Sequence, residues 1–255
     1  MDWRRYWDII VYRTYAELKS EAQLSYMGYV WWILEPLLNT VLFFVIMAAV
    51  LDQSISGFFC FLLVGSIIWQ WLNASLLGAA NSIVDAGGML KQIYLPKAIL
   101  PLIVIFTSAW KFVFIFLLLL ICVWVSGHRP TAAYACLPVL LLLEFVVIVA
   151  FTLPLAAIMP YFPDARVTVD AILRSGLLIS GVFFPVTQLP ASYRLYFHLN
   201  PMADLIEAFR TVLLDGGWPN WYLMGYVALL SLGGLAVAAW LYTWLDRSIV
   251  KAIHR

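Results

Sequence analysis

The sequence predicts an all-α integral membrane protein with six transmembrane helices, and three observations carry that reading. Apolar runs recur at residues 28–51, 58–84, 99–125, 135–159, 167–185 and 221–245. A span needs about 20 apolar residues, and only 167–185, which also carries Arg174, falls slightly short. Hydrophobic residues make up 64% of the 255-residue chain and charged residues 11%, more apolar surface than a soluble core of this size can hide. The runs are unbroken and lack the period of two that a barrel strand requires. In lipid the backbone must satisfy its own hydrogen bonds, which leaves helices. With no internal repeat, low-complexity tract or linker, 1–255 reads as a single membrane domain.

Residues 1–22 read as an amphipathic helix capped by Asp2. Trp3, Tyr6, Trp7, Ile10, Val11 and Leu18 fall near helical spacing, with Arg4, Arg5, Asp8, Glu17 and Lys19 largely elsewhere. Such a helix lies in the membrane interface, with Trp and Tyr at headgroup level, or docks on a soluble partner. Its charges continue through residue 21, so it does not resemble a cleavable signal peptide. Residues 85–98 form the longest connection on the N-terminal side, with Asp85 as a cap and Pro96 as a stop. On the other side, 186–220 is long and holds a clear helix signal. Asn200 is a favoured N-cap, Pro201 sits at the first helical position and Gly216 can terminate. In that helix Met202, Leu205, Ile206, Phe209, Val212 and Leu213 line one face, and Asp204, Glu207, Arg210 and Thr211 the other. At about 15 residues it is too short to span, so it and the preceding Tyr193–Phe197 segment are expected to re-enter the outer leaflet. Phe209 is expected to form an aromatic collar with Tyr193 and Tyr196, and Glu207 and Arg210 a weak pair on the polar face.

Orientation follows from Lys and Arg near the span ends. Six spans put both termini on one side, which holds ten of them (Arg4, Arg5, Arg13, Lys19, Lys91, Lys97, Arg166, Arg247, Lys251 and Arg255) against three (Arg129, Arg194 and Arg210). That bias places both termini in the cytoplasm. The net charge of +1 gives no reason to expect a nucleic-acid partner. Cys60, Cys122 and Cys136 read as small packing residues, an odd count without a disulfide framework.

Polar groups inside spans are costly and face a bundle interior or a wet cavity. At 100° per residue, Ser66, Gln70, Asn73 and Asn81 fall within an arc of about 80° on the second span. They read either as a hydrophilic pathway or as interhelical hydrogen bonding. Trp31, Trp32, Glu35 and Asn39 lie within about 100° on the first span, where Pro36 can bend the helix. Indoles stack on sugar rings and carboxylates accept hydroxyl hydrogen bonds, although an interfacial aromatic belt gives the same pattern. Lys111 in the third span and Glu144 in the fourth are a candidate pair. Arg166, Asp170 and Arg174 form an i, i+4, i+8 series that neutralises the start of the fifth. No P-loop, H-E-x-x-H, G-x-S-x-G or metal-ligand spacing is present, so no cofactor or metal is expected in this chain.

Three segments carry a family resemblance. Residues 24–36 read LSYMGYVWWILEP, residues 90–101 read LKQIYLPKAILP, and SGVFFP at 180–185 is followed by Asn200-Pro201 and Arg210. Together with the size and span pattern, they resemble the membrane subunits of bacterial polysaccharide ABC exporters of the O-antigen and capsule type. The segment Phe162-Pro163-Asp164 is closer to capsule exporters, and Lys-Gln-Ile-Tyr-Leu-Pro to O-antigen exporters. The resemblance implies a homodimer in the bacterial inner membrane with two cytoplasmic ATPase subunits that hold ATP and Mg. It implies a channel for a lipid-linked glycan between the two membrane subunits. Leu90, Lys91, Tyr94, Leu95, Pro96 and Lys97 are then the expected ATPase contact. Trp31, Trp32, Glu35, Asn39, Ser66, Gln70, Asn73, Asn81 and Lys111 are the expected pathway, and Tyr193, Tyr196, Phe209, Glu207 and Arg210 the outer gate. The competing classes are an ion-coupled secondary transporter, which needs inverted repeats, and a membrane enzyme on lipid-linked sugars, which needs a convergent His or paired carboxylates.

Overall fold

A computed structural model describes residues 3–24, 28–51, 57–86, 95–162 and 164–252. It is all-helical over them, without a strand. The α-helices are α1 Trp3–Leu24, α2 Val30–Leu51, α3 Phe58–Asp85, α4 Ile99–Val125, α5 Leu137–Ile158, α6 Ala165–Ile179, α7 Ala191–Phe197, α8 Pro201–Leu213 and α9 Trp221–Ala252. Five helices among the described residues are long and apolar enough to cross a membrane: α2, α3, α4, α5 with its flanking 3-10 turns, and α9.

The fifth expected span, 167–185, takes a different form. Its helix, α6, has 15 residues, or about 22 Å at 1.5 Å per residue, against a hydrocarbon core of about 30 Å. Ser180 ends it by hydrogen bonding back to the Gly176 carbonyl at 2.7 Å, and Gly181 turns the chain at φ 70°. Val182 and Phe183 are buried, but in an irregular turn rather than a helix. A count of apolar residues cannot tell the two apart, because irregular backbone is tolerated at depth when protein surrounds it.

The bundle is built around α3, which packs on α2, α4, α5 and α8. Of its spanning window 72% is buried, against 11% for α2, so α2 forms a flank of the bundle. One end gathers Ile83, Leu100, Ala156, Ala157 and Leu241, with Leu95 packed against them. The other end holds Phe61, the 181–183 turn and α8.

α1 packs along α4 through Ile10, which is buried with Ile99 and Ile103, and through an edge-to-face contact of Trp7 on Phe106. Farther along, Glu17 meets Thr107 and Glu21 meets Lys111. Equal four-residue steps on both helices mean that they run in parallel there. The leader expected at the interface is thus a helix packed along α4, with Val11 and Tyr15 exposed.

Candidate functional site

α2, α3 and α4 enclose a polar cavity of about 520 Å³, closed on one side by α1. Of the expected pathway residues it collects Trp32, Glu35, Asn39, Gln70, Asn73 and Lys111. Lys111 lies 12 residues into the 27-residue α4, about 18 Å from its start and near the middle of that helix. The cavity also contains Glu17, Glu21, Thr107 and Ser108, which the sequence reading did not assign to it.

The remaining expected pathway residues are elsewhere. Trp31 is exposed on the outside of α2. Ser66 is buried and its hydroxyl lies 2.7 Å from that of Thr40, a hydrogen bond that ties α2 to α3. Asn81 donates to the Leu77 carbonyl at 3.4 Å near the end of α3. The polar stripe of the second span therefore divides, its middle facing the cavity and Ser66 joining two helices.

Lys111 is corrected most clearly. It pairs with Glu21 of α1, not with Glu144, and its ammonium sits 5.5 Å from the centre of the Trp32 ring. Glu144 is fully buried in α5, and neither of its oxygens has a hydrogen-bond partner. Thr107 donates to Glu17 at 3.2 Å. Burial pushes the Glu17 carboxyl above the ordinary range; the Thr107 bond opposes this and the nearby Glu21 reinforces it. The missed signal was the i, i+4 spacing of Glu17 and Glu21, which presents both carboxylates on one face of α1.

Trp32 also borders a second, apolar cavity of about 740 Å³, lined by α1, α2 and α4 through Trp7, Ile10, Trp110 and Phe114 among others. One indole thus stands between a polar chamber and an oily groove.

The segment expected at the outer end is cross-linked to the bundle through α8 and the 180–183 turn. Asn200 caps α8 as expected, accepting from the Met202 N–H at 3.1 Å, and its amide donates to Ser180 at 2.7 Å. On the polar face Asp204 and Arg210 are buried, and Glu207 and Thr211 half-buried. The Arg210 guanidinium donates to the carbonyls of Phe61 (3.0 and 3.2 Å), Gly181 (2.7 Å) and Val182 (2.8 Å) and stacks 3.4 Å from the Phe61 ring centre. Glu207 is 4.0 Å away. Burial lowers the Arg210 pKa to about 9, with Glu207 opposing. Gly65 makes this fit possible, because a Cβ there would collide with the guanidinium. Asp204 lies 2.6 Å from Nδ1 of His198, and burial pushes its carboxyl up while His198 draws it down. The expected aromatic collar is not assembled. Phe209 is buried against Phe116, whereas Tyr193 and Tyr196 are exposed on α7. The Arg174–Asp170 pair of the charged series forms at 2.9 Å.

Of the expected ATPase contact, Leu90, Lys91 and Tyr94 lie outside the described residues. Pro96 is half-buried, Leu95 packs within the chain against both α1 and the bundle end, and Lys97 is buried rather than placed at a rim.

A multi-pass helical protein that keeps a polar chamber at the depth of its spans has the design of a membrane transport subunit. Residues 14–214 match the model of the ABC-2 type transporter family, and the chain belongs to that family. It is 27% identical to the O-antigen export system permease protein RfbA of Myxococcus xanthus over 85% of this chain and 84% of that protein. It is 22% identical to a protein of the same name from Klebsiella pneumoniae, over 90% of each chain. It is 24% identical to the polysialic acid transport protein KpsM of Escherichia coli, over 92% of this chain and 93% of that one. These relatives are transport subunits, not enzymes.

Proposed function

We propose that the chain is the channel-forming subunit of an ATP-driven exporter that moves lipid-linked surface polysaccharide of the O-antigen type across the bacterial inner membrane. The observation that carries this is the polar cavity at mid-span depth, in a chain whose relatives are named for O-antigen export and polysialic acid transport. Trp32 supplies a stacking face for sugar rings, and Glu35, Asn39, Gln70 and Asn73 supply acceptors and donors for hydroxyls.

The channel forms between two copies. Glu35 and Asn39 are exposed at the flank where α2 leaves most of its surface uncovered. Polar groups there are too costly to face lipid, and a second copy would convert each half-cavity into a shared conduit. The termini face the cytoplasm. Two separate ATPase subunits hold ATP and Mg and dock at residues 85–98, with Tyr94 as the anchor. α7 and α8 close the outer end, and their release opens it. Export of capsular polysaccharide is the second reading, favoured by the likeness to the polysialic acid transport protein. Teichoic acid export shares the same mechanism.

The test is deletion and complementation in the source bacterium, with co-purification of the ATPase. Loss of surface polysaccharide with intracellular accumulation of lipid-linked polymer is expected, and Tyr94→Asp should reproduce it while the protein stays in the membrane. Normal surface polysaccharide after deletion would overturn the proposal.

A further inference from the structure

We infer that the cavity selects its glycan by charge: it accepts polymers whose repeating units are uncharged or carry amino groups, and it rejects polyanionic ones. This deepens the exporter reading and rests on it. Three carboxylates line the cavity, Glu17, Glu21 and Glu35, against a single ammonium, Lys111, among the described residues. Lys111 is already committed on two sides, to Glu21 and to the face of Trp32. It therefore offers no free cation to an incoming acid. Arg13 lies within electrostatic reach of Glu17, so Glu35 remains as a formal excess of one negative charge.

Their chemistry is suited to neutral sugars. Hydroxyls donate to carboxylates, amino groups pair with them, and the indole stacks on a ring whatever its stereochemistry. A carboxylated sugar meets the same groups as like charges. Repulsion is strong at this depth, because the surrounding spans lower the effective dielectric constant and focus the field in the cavity. Excluding a wrong ligand by an unpaired like charge is a recognised route to specificity. The discrimination acts on the repeating unit. If two copies share the conduit, each contributes the same excess.

The experiment uses the complete exporter, this chain with its ATPase, in cells lacking their own exporter. The cells are supplied in turn with a lipid-linked polymannose and with lipid-linked polysialic acid. The readout is the ratio of surface polysialic acid to surface polymannose, normalised to intracellular pools. The wild type should export the anionic polymer about tenfold less efficiently, the discrimination expected for one like charge at about 10 Å and an effective dielectric constant of about 20. The substitution Glu35→Gln cancels the excess and leaves Glu17 and the Glu21–Lys111 pair intact. It should raise the ratio about tenfold. Lys111→Gln removes the ammonium that lines the cavity and should lower the ratio further. Reading a ratio cancels any general loss of folded transporter, and the wild-type value needs no variant. Equal export of both polymers by the wild type, or a ratio unmoved by both substitutions, overturns the charge inference alone. Export of neither polymer overturns the exporter reading and the inference with it.

Discussion

Replacing Arg210 by Met tests whether the outer segment is held as a unit. The substitution keeps a long, flexible side chain but removes every donor to the Gly181 and Val182 carbonyls. Those two lie in an irregular turn, outside any helical ladder. A buried carbonyl left without a partner costs about 1–3 kcal/mol, so the pair costs about 2–6 kcal/mol. Part is returned, because Met no longer requires a charged group to be stripped of water, the burial cost that brings Arg210 down to about 9. A net loss of about 2–4 kcal/mol is expected, confined to the 180–184 turn and α8. At 1.4 kcal/mol per factor of ten this is about 30- to 700-fold faster amide exchange there. The assay is hydrogen exchange by mass spectrometry on the purified protein in lipid nanodiscs, with α3 and α5 as internal references. Arg210→Lys should behave almost as poorly, because an ammonium cannot reproduce a planar fork across three carbonyls. Unchanged exchange at 180–184 in both variants would refute the reasoning. So would an equal acceleration through α3 and α5, which would make Arg210 a general core residue.

Other outcomes follow from the same contacts. Cysteines replacing Glu35, Asn39, Gln70 and Asn73 should react with a water-soluble thiol reagent in open channels, whereas one at Ser66 should not; equal reactivity at all five would remove the cavity. Glu144→Leu should raise thermal stability by about 1–3 kcal/mol, because both carboxylate oxygens are buried without partners and an apolar side chain avoids that cost; a loss of stability would reveal a partner that forms only in another conformation. Because burial holds the Glu17 carboxyl above its ordinary range, docked α1 binds that proton more tightly than undocked α1 does. Docking should be strongest below the ordinary carboxylate range and weaken as pH rises through the raised value; spin-label distances between α1 and α4 that are flat across that window would count against it.

Much of the molecule can be read from the chain where a local rule governs. The spans around α3, α4, α5 and α9 follow from unbroken apolar length, and the start of α8 follows from Asn200 and Pro201, whose capping and φ preferences are local. The polar arcs of the first two spans place Glu35, Asn39, Gln70 and Asn73 together because helical geometry alone fixes their directions. What the chain does not disclose is tertiary. The 180–185 stretch is apolar enough to be counted into a span, and the turn that Gly181 makes there is held by the distant Arg210. Arg210 itself looks like a surface residue on a polar face until Phe61, which is 149 residues away, supplies its acceptor. Lys111 reads as a partner of Glu144, and its pairing with Glu21 depends on α1 packing against α4, which periodicity cannot reveal.

Trp32 is a bulkhead. Its indole lines both the oily groove of about 740 Å³ and the polar chamber of about 520 Å³. Its worth therefore lies in its breadth as well as in what it touches. A narrower side chain would breach the partition, letting acyl chains seep into the hydrated compartment and water leak outward toward the bilayer. Wetting and greasing would then fail together, from one opening. Phe should still plug most of the breach, whereas Ala should flood both compartments, so tolerance at this position should track ring area more closely than hydrogen-bonding capacity.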